Sequence, residues 1–284
     1  MNNVMKKSFL LLAIAGLSVL MPVSAQEQQT SKHNNLKLAF ELGANIMSAE
    51  LERPEQIREN HSSPYSYYRD DYNYNRNYEY GYIRDYSSLQ TMYFGVKPEF
   101  FTYKNRIGIA SGLRFTMAST KLVSDRDNFL WKVKEDGLNT GYVRIDDIRE
   151  KSYLLSIPFE VRYFINDREL PFQTYFKIGV SLDYCVNSKY QVNFSSKAME
   201  KYNEQIQNQI PKNDAFSYFV FGAVGFKISK YAEGKWTPWG NIEFQFPYVL
   251  ITKNSFAFAG TGFGAGIQCS FQIPIGNNMP IGSN

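Results

Sequence analysis

Apolar and polar residues alternate along much of this chain, and a period of two predicts strands with one face of each kind. In 36–46, Leu36, Leu38, Phe40, Leu42, Ala44 and Ile46 oppose Lys37, Ala39, Glu41, Gly43 and Asn45. In 91–103, Met92, Phe94, Val96 and Phe100 oppose Tyr93, Gly95, Lys97 and Glu99. Segment 107–117 sets Ile107, Ile109, Leu113 and Phe115 against Gly108, Ala110, Gly112 and Arg114. In 153–165, Leu155, Ile157, Phe159, Val161 and Tyr163 share one face, while Ser156, Pro158, Glu160 and Arg162 share the other. Segment 174–186 opposes Phe176, Ile178, Val180, Leu182 and Tyr184 to Lys177, Gly179, Ser181 and Asp183. The pattern is least regular in 217–228, where Phe219 and Phe221 fall on the face of Lys227. In 239–248 the apolar set is Ile242, Phe244 and Phe246, against Asn241, Glu243 and Gln245. In 260–273 it is Phe263, Ala265, Ile267, Cys269 and Phe271, against glycines, Gln268, Ser270 and Gln272.

Each segment reaches the roughly 9–11 residues that a tilted strand needs to cross a bilayer. The connections 47–90, 124–151 and 187–215 are long, 104–106, 166–172 and 229–235 are short, and 249–256 is intermediate. An even strand number with long and short connections in alternation predicts an all-β protein. It is read as an eight-stranded antiparallel transmembrane β-barrel with short periplasmic turns and long extracellular loops. The polar face then points into the lumen and carries Glu41, Lys97, Glu99, Arg114, Glu160, Arg162, Lys177, Asp183, Lys227 and Glu243. Positive and negative groups balance. Buried charges are tolerable only when paired, so these residues are expected to form a structural ion-pair network. The apolar face would meet outer-membrane lipid. Aromatics expected in the two interfacial girdles are Tyr103, Tyr163, Phe164, Tyr175, Trp236, Trp239 and Phe271 at one end. At the other end they are Tyr93, Tyr153, Tyr184, Tyr218, Tyr248 and Phe256. Pro98 and Pro158 lack the amide a ladder needs, and a bulge is expected at each. Gly260, Gly262, Gly264 and Gly266 lie two apart on a strand face, which is not a phosphate loop. They are expected to make room for long neighbours such as Arg114 or Glu243.

The first segment breaks the alternation. Lys6 and Lys7 precede the apolar run 8–21, and Val23, Ser24 and Ala25 form a small-residue cleavage site. Residues 1–25 read as a signal peptide cut between Ala25 and Gln26, leaving 26–284 as one barrel domain with its strands within 36–273. No later stretch has about 18 consecutive apolar residues. The net charge is +4, of which Lys6 and Lys7 supply two, and no long basic run suggests nucleic acid. Cys185 and Cys269 fall toward opposite ends and opposite faces, too far apart for a bridge. His33 and His61 are the only histidines. His61 with Asp146 or Asp147 is the one catalytic arrangement the sequence offers, and no spacing specifies it. No ligand spacing implies a metal, and no cofactor is expected. Among the long connections, 65–86 alternates Tyr with Arg, Asp and Asn. Residues 195–211 predict a short helix capped by Ser195 or Ser196 and stopped by Pro211. Its Met199, Tyr202, Ile206 and Ile210 would rest on the barrel mouth. Residues 129–145 predict a hairpin continuing two strands above the membrane.

The stretch "YLLSIPFEVRYF", followed by a short turn and "FQTYFKIGVSLDY", resembles the central motif of the PorT-like outer-membrane β-barrel family of Bacteroidetes. That resemblance implies an eight-stranded barrel in the cell outer membrane and carries no catalytic residue. Some such proteins take part in type IX secretion. The expected protein is therefore a non-enzymatic anchor that displays outer loops. Envelope or secretion proteins are candidate partners of the Tyr-rich segment 65–86. Two other readings stay open at this stage: an outer-membrane barrel enzyme acting on lipid or peptide, and a soluble periplasmic barrel binding a small hydrophobic ligand.

Overall fold

The computed structural model describes residues 36–52, 54–58, 86–102, 106–123, 129–135, 139–165, 171–232 and 235–274. The signal segment with Ala25 and Gln26, both histidines, Tyr-rich residues 65–85 and the tail 275–284 lie outside them. The described strands are β1 (Leu36–Glu50), β2 (Ile57–Arg58), β3 (Tyr86–Thr102), β4 (Ile107–Ser111), β5 (Leu113–Val123) and β6 (Phe129–Glu135). They continue with β7 (Asn139–Phe164), β8 (Phe172–Phe194), β9 (Phe216–Ala232), β10 (Lys235–Leu250) and β11 (Gly262–Pro274). All belong to one antiparallel sheet. Ten strands run in the order β2-β6-β7-β4-β3-β1-β11-β10-β9-β8, β5 pairs with β3 and β7 off this path, and β7 also pairs with β8.

The expected eight-stranded transmembrane barrel with short turns and long loops is corrected by this arrangement. The sheet has eleven strands, and its ring of eight does not close evenly. β7 has 26 residues and β8 has 23, whereas β11 has 13 and β4 only 5. The β7–β8 ladder runs from Ile145↔Phe194 to Phe164↔Tyr175 with two register shifts. The cause is visible in the residues. Alternation does not stop at Tyr153: Val143, Ile145, Ile148 and Leu154 are all buried, so much of the expected loop 124–151 extends the sheet. Within it β6 pairs with β7 from Phe129↔Ile145 to Glu135↔Asn139 as the hairpin expected over 129–145, to which β2 adds.

The proline expectation is corrected too. Pro98 pairs with Leu38 and Pro158 with Ser181 without a local register shift. The strand between them breaks instead, at Gly112. The pairings of β3 with β4 and β5 lapse between Val96↔Leu113 and Glu99↔Ala110, the stretch that holds Pro98. Those of β7 lapse between Arg114↔Ser156 and Ser111↔Phe159, the stretch that holds Pro158. Two neighbours that each lack an amide donor leave this point of the ladder weak. A Cβ at Gly112 would lie 2.2 Å from the Val96 carbonyl oxygen, so only glycine lets the backbones approach this closely.

At one end of the sheet, Leu122, Phe129, Trp131, Val133, Val143, Ile145 and Ile148 pack with Ile206, Ile210, Ala257 and Phe258. The helical stretch begins as a 3-10 helix (Lys197–Tyr202) and continues as α1 (Asn203–Gln209). Ser196 makes no capping bond with its side chain, and Ser195 Oγ donates to Asp146 Oδ1 at 2.5 Å instead. Ile210 is extended, as the residue before Pro211 must be, and that ends α1. Met199, Tyr202, Ile206 and Ile210 do join one apolar cluster.

Candidate functional site

Burial along the strands follows parity and is inverted with respect to a water-soluble protein. On β7, Glu160 and Arg162 are 1% exposed, while Phe159 and Tyr163 are each 50% exposed. Ile178 on β8 is 69% exposed beside a buried Lys177. Among the described residues the outward set includes Leu42, Ile46, Met92, Phe94, Val161, Phe226, Ile242 and Ile267.

Inside, eight charged side chains from six strands form one connected cluster. Glu160 is its hub. It receives Lys97 Nζ at 2.6 Å, Arg114 Nη2 at 3.2 Å, Arg162 Nη2 at 3.3 Å and Lys177 Nζ at 3.4 Å. Glu41 pairs with Lys97 and with Arg114 Nε, each at 2.7 Å. Glu243 accepts from Arg162 Nη2 at 2.8 Å and is also paired with Lys177, and Glu99 holds Arg162 Nη1 at 2.5 Å. Neutral groups complete the cluster. Gln268 donates to Glu41 at 3.0 Å and accepts from Tyr93 and Lys177, and Tyr175 donates to Glu243 at 2.6 Å. Four carboxylates matched to four cations in this way supply the partners that burial requires. Asp183 and Lys227 are buried as well. The Asp183 carboxylate accepts from Ser181, and Lys227 lies 4.8 Å from the centre of the Phe101 ring and 4.9 Å from that of Phe164.

Several aromatics expected in the girdles face inward instead. Tyr93, Phe164, Tyr175, Tyr248 and Phe256, expected in the girdles, are all buried. Arg114 lies over Tyr93 at 4.1 Å, Arg162 over Tyr175 at 5.2 Å and Lys177 over Phe221 at 5.1 Å. Each ring sits above a glycine directly across the ladder: Gly43↔Tyr93, Gly225↔Tyr175 and Gly179↔Phe221. A Cβ at Gly43 or Gly225 would lie 2.3 Å from the tyrosine ring. Parity was the available signal, since Tyr93 shares a face with Lys97, and Tyr175 with Lys177. Tyr163, Tyr218, Trp239 and Phe271 do face outward. Tyr103 and the Trp236 side chain lie outside the described set. The glycine expectation on 260–266 is also corrected. Gly264 and Gly266 abut Met47 and Asn45, Gly262 abuts Ala49, and Gly260 abuts Glu52, so none makes room for Arg114 or Glu243. Cys185 and Cys269 are free thiols.

Beyond the apolar belt, Glu150 is buried without a cation in contact among the described residues. Its carboxylate accepts from Thr120 Oγ1 at 3.0 Å, Ser152 Oγ at 2.8 Å, Asn213 Nδ2 and the Ala257 amide at 2.9 Å. Burial raises its pKa, and these four neutral donors only partly oppose the rise. The carboxylate thereby ties β5, β7, the 210–215 connection and the buried 255–260 segment together. Among the described residues no group of His, Cys, Asp and Glu side chains could hold a metal ion.

No family model matches the chain, and no curated protein matches it in sequence. Among solved structures, the N-terminal β-barrel domain of Pseudomonas aeruginosa OprF is similar over 84% of this chain and 98% of its own, with 8% identity and a TM-score of 0.28. Ail, the attachment invasion locus protein of Yersinia pestis, is similar over 85% of this chain and 100% of its own, with 10% identity and a TM-score of 0.29. At that distance neither transfers a residue role to this chain. The PorT-like resemblance rests on its motif alone.

Proposed function

We propose that this chain is an integral outer-membrane protein without enzymatic activity, anchored by its sheet and displaying the segments beyond the apolar belt. One observation carries the reading: an outward face of Ile, Phe, Val and Met around an interior of ion pairs. Water rewards the opposite arrangement, and only hydrocarbon outside makes this one favourable. Charged residues of the interior are anchoring structure, not a reaction centre, because each carboxylate of the cluster is held by cations. A soluble carrier of a hydrophobic ligand needs an apolar interior, which the charged cluster opposes. Envelope or secretion proteins are the partners proposed for the displayed side, including the Tyr-rich segment 65–86. The test is fractionation followed by gel mobility with and without boiling. The expected protein stays with outer membranes after alkaline carbonate extraction and migrates differently once boiled. Recovery as a monomer in detergent-free buffer overturns the reading.

A further inference from the structure

The apolar belt ends abruptly in one sector. On the outward face, Met117 of β5, Tyr153 of β7 and Asn187 of β8 lie side by side in register. The next outward row is Ser119, Lys151 and Lys189, and the row after it is Lys121, Arg149 and Gln191. Successive outward positions are about 7 Å apart along a strand. Four cationic side chains therefore crowd the first two rows beyond the belt.

Their pairing is unfavourable for the protein by itself. Lys151 faces Lys189 directly across one ladder, and Lys121 faces Arg149 across the other. Like charges at directly opposed positions destabilise a sheet. Asp147 relieves only the second pair, at 3.6 Å from Lys121 Nζ and 3.2 Å from Arg149 Nε. Lys151 and Lys189 are exposed and have no carboxylate partner among the described residues. The crowding is local. From Lys151 the same row continues through Ser119 and Gln90 to Ile46, none of them charged.

We infer that Lys151 and Lys189, supported by Lys121 and Arg149, form a binding site for phosphate groups of lipids in the leaflet next to the displayed side. This inference rests on the membrane reading above and names the lipid chemistry that reading leaves open. The position decides between lipid and a soluble anion. The cations stand on the same outward face as the belt and directly above it, at the level where headgroups begin. A phosphate there supplies the charge that two opposed ammonium groups lack, while the acyl chains below it meet Leu155, Ile157 and Leu182 on the same face.

The test uses full-length folded protein reconstituted in phosphatidylcholine vesicles, with and without diphosphorylated lipid A. After mild detergent extraction, native mass spectrometry measures the lipid A retained per protein. Wild type retains lipid A, and the double variant Lys151→Gln, Lys189→Gln retains roughly tenfold less or lower still. The exposed cations farther out provide the control: Lys132→Gln, Lys134→Gln, Arg144→Gln leaves retention unchanged. Equal retention by the Lys151/Lys189 variant and wild type, both inserted, overturns the inference and leaves the membrane reading standing. Loss of retention in the distal variant alone also overturns it, and points to an anion outside the membrane. Failure of wild type to insert into either vesicle overturns both.

Discussion

At the residue scale the interior is organised around Glu160, which touches four cations from four strands. Replacing one partner of a buried ion cluster leaves uncompensated charge, at a cost of about 3–5 kcal/mol. Glu160→Gln is expected to lower stability by that amount in urea titrations of the reconstituted protein. Asp183→Asn, outside the cluster, should cost about 1 kcal/mol or less. Equal effects of the two would show that the cluster is not the organising element. Gly225→Ala places a methyl group where the Tyr175 ring lies and should cost about 1–3 kcal/mol by the same titration. Which charges share a strand face was legible from parity. Which inward aromatics cover them was not, because Tyr and Phe suit either face of a strand. The glycine opposite each ring is a cross-strand fact that no single segment displays.

At the element scale the eight apolar alternations correctly marked where ring strands lie, but not where they end. Val143 and Ile145, within the expected hairpin 129–145, and Ile148 beyond it continue the pattern past Tyr153, the expected boundary of β7. Likewise the joint effect of Pro98 and Pro158 on Gly112 depends on three-strand registers, which no single strand displays. The capping elements make two predictions. Trp131, fully buried and donating to Gln209 at 2.6 Å, holds α1 against the hairpin. Trp131→Ala should cost about 3–5 kcal/mol within this cluster. The readout is faster proteolysis within 197–209, with the ring's urea midpoint unchanged. Glu150 adds a pH dependence. Because burial raises its pKa, the folded state holds a proton more tightly than the unfolded state. Stability of the 255–260 closure should therefore rise as pH falls through the raised value, and the gain is complete below the ordinary carboxylate range. Hydrogen exchange in 255–260 should slow as pH is lowered toward the ordinary carboxylate range, after correction for intrinsic rates. Glu150→Gln should abolish that change, and a wild type that opens on acidification would refute the assignment.

For the whole molecule, the sequence expectation of an even eight-stranded ring proved too regular. The β6–β7 hairpin, the two long strands and the broken β4–β5 edge make the sheet larger on one side and weaker at one point. In the stretch 153–165 alternation alone set Glu160 and Arg162 on one face and Phe159 and Val161 on the other, and the structure buries the first pair and exposes the second. The most direct measurement is spin-label accessibility at Val161, Ile178 and Ile242 in reconstituted protein, with Lys132 as reference. Hydrocarbon around the sheet predicts strong collision with oxygen and weak collision with a water-soluble nickel chelate at the three apolar positions, and the reverse at Lys132. Strong collision with the nickel chelate at Val161, Ile178 and Ile242 would contradict the account.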